Sequence, residues 1–172
     1  GQPITLSDAR AALALGLIDA DPPARIQDAT TRLIQRELIL REVQRYAPGA
    51  PSESVVDTRL EQVRKRFADA AAMQRVLDAN AFSEARLRAW LRDDLRTESY
   101  LAQRFASAST PTDADIAAAY ARSKAEFDKT NTSFEQAAPI VRDRLIEARR
   151  RELIVDWVAD LRRRTEVVII EQ

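Results

Sequence analysis

Glycine is nearly missing from this chain. Only Gly1, Gly16 and Gly49 occur in 172 residues, so neither a G-x-G-x-x-G turn nor a Walker loop can be written anywhere in it. Thirty residues are alanine and twenty-four are arginine, against three lysines (Lys65, Lys124 and Lys129). Ala, Leu, Arg and Glu are strong helix formers, and that mixture predicts an all-α fold.

Other absences narrow the chemistry. With no histidine and no cysteine, structural zinc, thiol chemistry, Ser-His-Asp triads and haem ligation are excluded. Any catalysis would rest on carboxylates, Lys, Arg, Tyr or Ser. No cofactor or metal site is expected. The 27 basic and 27 acidic side chains balance, so no overall basic field exists to hold nucleic acid. The chain is 45% hydrophobic and 31% charged, a globular composition with enough apolar residues for a core. No run approaches the ~18–20 apolar residues of a membrane span, so membrane insertion is not expected. No stretch of the chain reads as a signal peptide, which leaves export open, and zero cysteine weakly favours an oxidising compartment.

Helix starts are legible as caps. Thr5 to Asp8, Thr112 to Asp115 and Ser133 to Gln136 each read as a capping box, a hydroxyl followed three residues on by a carboxyl or amide group. The first helix should run to about Ile18. A second should begin near Pro23 and reach Tyr46, with Ile26, Ala29, Leu33, Leu40 and Val43 on one stripe. Pro and Gly break the chain at 47–51. Ser52 then caps a helix carrying Val56, Leu60, Val63 and Phe67, and a short element holds Met73, Val76 and Leu77. Ser83 opens a helix from Leu87 to Phe105, with 107–111 as a polar linker. Ile116, Tyr120 and Phe127 mark the next helix. The last and longest covers about 134–164, roughly 45 Å at ~1.5 Å per residue, with Pro139 expected to kink or loosen its first turns. Val167 to Ile170 is the one strongly β-branched run. As a lone strand it needs a partner, and the expectation is a minimal terminal strand pair with residues 2–4.

This order of elements resembles the chaperone module of SurA-type extracytoplasmic folding factors. Residues 1–8 look like that family's first strand and helix, and Leu33 to Leu40 like its second-helix signature. Val56 to Phe67, and Phe82-Ser83-Glu84 through Leu95, look like its middle helices. Thr112 through Tyr120 and Phe127 resembles its penultimate helix, and Phe134-Glu135 through Trp157, Leu161 and 167–170 its closing helix and strand. In such proteins a parvulin-type prolyl isomerase domain follows the Phe127 position. Here only residues 128–133 separate Phe127 from Phe134, so the resemblance implies a single chaperone domain over 1–172 without isomerase. Its core would be 1–106 plus 133–172, with a helical appendage at about 107–132.

The resemblance further implies a periplasmic, ATP-independent holdase whose partners are unfolded polypeptides, outer-membrane protein precursors in particular. Phe67, Met73, Phe82, Trp90 and Tyr100, with Phe105 and Trp157, are the candidate client-binding residues, and Met73 and Phe82, nearest the breaks, lead among them. Their helical spacing equally suits plain core. Glu135, Asp143 and Glu147, and the pair Asp93-Asp94, are candidate acid–base or cation-binding groups. Arginines interleaved with them favour solvated ion pairs at i,i+4 instead. The alternative to a chaperone is a non-catalytic helical adaptor that binds one folded partner or forms a homodimer. A third reading, a carboxylate hydrolase, requires two acids converging in one pocket.

Overall fold

A computed structural model describes residues 3–19, 25–46 and 48–168, and every regular element among them is a helix. The order is α1 (Leu6–Ala14), α2 (Arg25–Tyr46), α3 (Glu53–Arg64), α4 (Ala70–Ala79), α5 (Glu84–Arg104), α6 (Ala106–Ser109), α7 (Asp113–Asp128) and α8 (Phe134–Arg164). No helix among the described residues is long and apolar enough to cross a membrane.

The caps explain where the helices start. Thr5 N–H donates to the Asp8 carboxylate at 2.8 Å, and Asp8 N–H donates back to the Thr5 hydroxyl at 3.2 Å. Thr112 and Asp115 repeat this pairing, and Ser133 and Gln136 complete the third box. Ser83 accepts from Arg86 N–H at 3.1 Å. Ser52 makes no capping bond, whereas Asp69, which sequence reading passed over, caps α4 through Ala72 N–H at 2.6 Å. The Asp115 carboxyl is held down to about 2, chiefly by Thr112 N–H and then by Arg149. Its contribution to stability is therefore complete above the ordinary carboxylate range and is lost as pH falls toward 2.

Three helix ends share one pattern. After α1, Gly16 N–H donates to Leu13 O at 3.1 Å and Leu17 N–H to Ala12 O at 2.8 Å. These two bonds define a Schellman end, with Gly16 left-handed at φ 63°. Helix α1 therefore stops at Ala14, short of Ile18. Arg66 adds a donor to the exposed carbonyls of Leu15 and Gly16. After α4 the same two bonds run from Ala81 to Asp78 O and from Phe82 to Leu77 O, but here an alanine holds the left-handed position at φ 49°. Asn131, at φ 52°, plays that part between α7 and α8.

Packing divides the chain into two units. One holds the described residues up to Tyr100 with Val167 and Val168, and the other runs from Leu101 to Glu166. Helix α8 packs on α7 and α6, which places residues 134–164 in the second unit.

In the first unit α1 serves two clusters. Its Ala9 and Ala12 join Ala29 and Leu33 of α2, while Ala11 and Leu15 join Leu60, Val63, Met73, Leu77, Phe82, Leu87 and Leu91. In the second unit Ile116 and Phe127 of α7 pack on Ala137 and Val141 of α8. Tyr120 stacks on Phe127 with centroids 5.5 Å apart and meets Phe134 edge-on at 5.2 Å. The expected linker at 107–111 is instead the short α6 and its exit, with Ser109 fully buried and its hydroxyl donating to Phe105 O at 2.8 Å. Helix α8 runs continuously through Pro139.

The terminal strand pair does not form among the described residues. Pro3, Ile4, Val167 and Val168 are irregular, while Gln2, Ile169 and Ile170 lie outside the described residues. Pro3 has no amide to donate, and the Ile4 side chain packs against the α1–α2 cluster. A β-branched run favours a strand only where a pairing edge and a face to bury exist, and Val168 is 71% exposed.

Two of the three left-handed ends predict substitutions of opposite sign. Gly16→Ala should cost about 1–2 kcal/mol, since a Cβ there would also lie 2.6 Å from Arg66 Nη1. Ala81→Gly should add about 0.5 kcal/mol, relief of the left-handed cost less the greater entropy of glycine in the unfolded chain. Thermal denaturation followed by circular dichroism measures both, and shifts of the same sign would contradict the assignment.

Candidate functional site

Four of the five leading client-binding candidates come together. Met73 (4% exposed) and Phe82 (3%) are members of the large cluster of the first unit, and Phe67 and Trp90 are half-buried against it. Phe82 and Trp90 meet edge-to-face with centroids 6.4 Å apart. Tyr100, also buried, instead stacks on the exposed Tyr46 at 5.6 Å. Phe105 and Trp157 belong to the second unit, packed edge-to-face at 5.9 Å. Met73 and Phe82, at the breaks in sequence, are sealed: the Schellman end of α4 folds Phe82 back onto Leu77, as the hydrophobic contact of that motif requires. Both are almost fully buried, and α4 contributes Met73 and Leu77 to the cluster.

The first unit does contain a cleft, of about 370 Å³, between the segment Leu17–Asp19, α2 and α5. Ile39, Arg32, Gln35 and Arg36 line it from α2, and Asp94 and Thr97 from α5. Its fixed point is Arg36. The guanidinium lies 3.7 Å from the Trp90 ring centroid, donates Nε–H to Asp94 Oδ1 at 2.9 Å and donates from Nη2 to Trp90 O at 3.2 Å. Stacking on indole and a charge-assisted bond to carboxylate are both strengthened by partial exclusion of water. Burial pushes the Asp94 carboxyl above its ordinary range, and Arg36 opposes that shift.

In sequence Asp93-Asp94 is flanked by Arg92 and Arg96. The structure assigns Asp94 to Arg36, 58 residues away, and Arg92 to Glu53 of α3 at 2.8 Å. Only Asp93 and Arg96 face each other locally, at 4.0 Å. The arginines around Glu135, Asp143 and Glu147 also reach between helices: Arg142 to Asp113, Arg144 to Glu126 and Arg149 to Asp115. Glu147 pairs with Arg151, and Glu135 accepts from the Ser133 hydroxyl. These acids therefore do not converge, and the described residues contain no group of three acids placed to hold a metal ion. The cleft was not visible in sequence, because Arg36 and Trp90 sit on separate helical stripes and only packing joins them.

No family model matches the chain, and no curated protein or solved structure matches it either.

Removing Arg36 should be felt in stability. Arg36→Ala leaves the half-buried Asp94 carboxylate without its partner and uncovers Trp90, at a cost of about 2 kcal/mol. Without the guanidinium the native pKa of Asp94 rises further, so the loss should be largest at neutral pH and shrink as pH falls through the carboxylate range. Adding Asp94→Asn to Arg36→Ala should recover part of the loss and flatten that pH dependence. A defect of the same size at pH 3 and pH 7 would contradict the pairing.

Proposed function

We propose that the chain is a non-catalytic, ATP-independent holdase for unfolded polypeptide segments, acting in the periplasm on outer-membrane protein precursors. The order of helices and caps that resembles the SurA-type chaperone module motivates this reading. The single observation that carries it further is the gathering of Phe67, Met73, Phe82 and Trp90 into or against one apolar cluster to which α4 contributes Met73 and Leu77.

The mechanism proposed is transient exposure of that cluster. Helix α4 has ten residues and buries Met73 and Leu77. A helix of that length is marginal on its own, so its place depends on those contacts. Local opening of α4 would uncover Met73, Leu77 and Phe82 without unfolding the other helices of the unit. Methionine and aromatic side chains adapt to many apolar partners, and the binding is weak enough to release clients. Such a site uses burial alone, with no cofactor and no acid–base pair.

Light scattering of a denatured outer-membrane porin diluted into buffer tests the proposal. The protein should suppress scattering in proportion to its concentration, and should do the same for an unrelated unfolded client. No suppression at several-fold molar excess would contradict holding, and would favour an adaptor for one folded partner.

A further inference from the structure

We propose that the cleft between Leu17–Asp19, α2 and α5 binds a carboxylate that carries a short apolar tail. This goes beyond the holding activity and does not depend on it. The cleft joins two kinds of surface. Leu17, Ile18 and Ile39 form an apolar wall, and Arg32, Gln35, Arg36 and Thr97 supply donors. Arg32 and Arg36 stand four residues apart on α2, one turn of the same face.

Their charges are not equivalent. Arg36 is committed to Asp94, to Trp90 O and to the indole face, which fixes its position, while its Nη1 has no hydrogen bond among the described residues. Arg32 has no ion pair among the described residues. Asp19 also lines the cleft and, like Arg32, is exposed, but the two make no ion pair among the described residues. With Arg36 and Asp94 cancelling, the cleft offers one guanidinium without an ion pair among the described residues, Arg32, beside neutral donors and an apolar wall. That matches one negative charge and a hydrocarbon group. A phosphate dianion would find too little positive charge, and a fully apolar ligand would strip water from Arg32 and Gln35 without replacing its hydrogen bonds. A volume of about 370 Å³ lies at the small end of ligand pockets, which fits one amino-acid residue. The carboxylate can belong to the C-terminal residue of a polypeptide or to a free aliphatic acid.

The test is a titration of the ¹⁵N-labelled protein by NMR with N-acetyl-leucine, N-acetyl-leucinamide and hexanoate. N-acetyl-leucine should shift the Gln35 side-chain amide and the Thr97 backbone amide saturably. The amide analogue should bind at least about tenfold more weakly, since it lacks the charge that Arg32 meets. Arg32→Gln, a substitution at an exposed helical position that keeps helix propensity, should weaken N-acetyl-leucine about tenfold. Equal binding of acid and amide, no saturable shift, or an unchanged affinity in Arg32→Gln would each overturn the proposal. Where binding is seen, a leucine-ended peptide that binds more tightly than both its amidated form and hexanoate identifies a chain terminus as the source. Hexanoate binding as tightly as the peptide identifies a free acid.

Discussion

The first unit depends on how closely its other helices can approach α1, and three alanines set that distance. Ala9, Ala11 and Ala12 are wholly buried on a helix of nine residues. Helix separations follow the side chains at the contact, so these small residues let α2 close on one side and the Leu60–Met73–Phe82 cluster on the other. A helix this short has little stability in water. Its ends are therefore fixed from outside: Thr5 and Asp8 cap the start, Asp8 is held to Arg86 at 2.5 Å, and Gly16 and Arg66 close the end. Larger side chains at the alanines would force α2 outward and change the cleft and the cluster together.

Arginine holds the surface. In the first unit Arg59 meets Glu98 through two bonds of 2.9 Å, Arg64 meets Glu84, and Arg88 and Arg92 share Glu53. In the second, Arg144 and Arg149 tie α8 to α7. Each exposed pair is worth little by itself, but forked guanidinium contacts set which faces meet. The Arg36–Asp94 pair differs in being half-buried and stacked on Trp90. It is therefore the pair whose loss should be felt.

Much of the fold was legible because its signals are local. Capping boxes at Thr5, Thr112 and Ser133, the break at 47–51, and stripes such as Val56-Leu60-Val63 depend on neighbours a few residues away. The errors came where the deciding partner is distant. Val167-Val168 carries strand propensity but meets no pairing edge among the described residues, and the segment after Phe105 folds into a helical turn against α8. The site was legible by residue type and not by role. Met73, Phe82 and Trp90 are marked by their type, yet no periodicity shows that they meet in one cluster or that Trp90 carries Arg36 on its face. Asp94 was noticed with the wrong partners, since its true one lies 58 residues away.

The short, alanine-packed α1 thus lies beside α4, whose Met73 and Leu77 belong to the apolar cluster proposed to take clients. Native-state hydrogen exchange tests that proposal most directly. The amides of Val76 and Leu77 should exchange through an opening of distinctly lower free energy than those of Leu60, Leu87 and Leu91, while the hydrogen-bonded amides at the end of α1 open only with global unfolding. If α4 exchanges at the same free energy as the rest of the first unit, the cluster has no separate opening and its exposure to clients is contradicted.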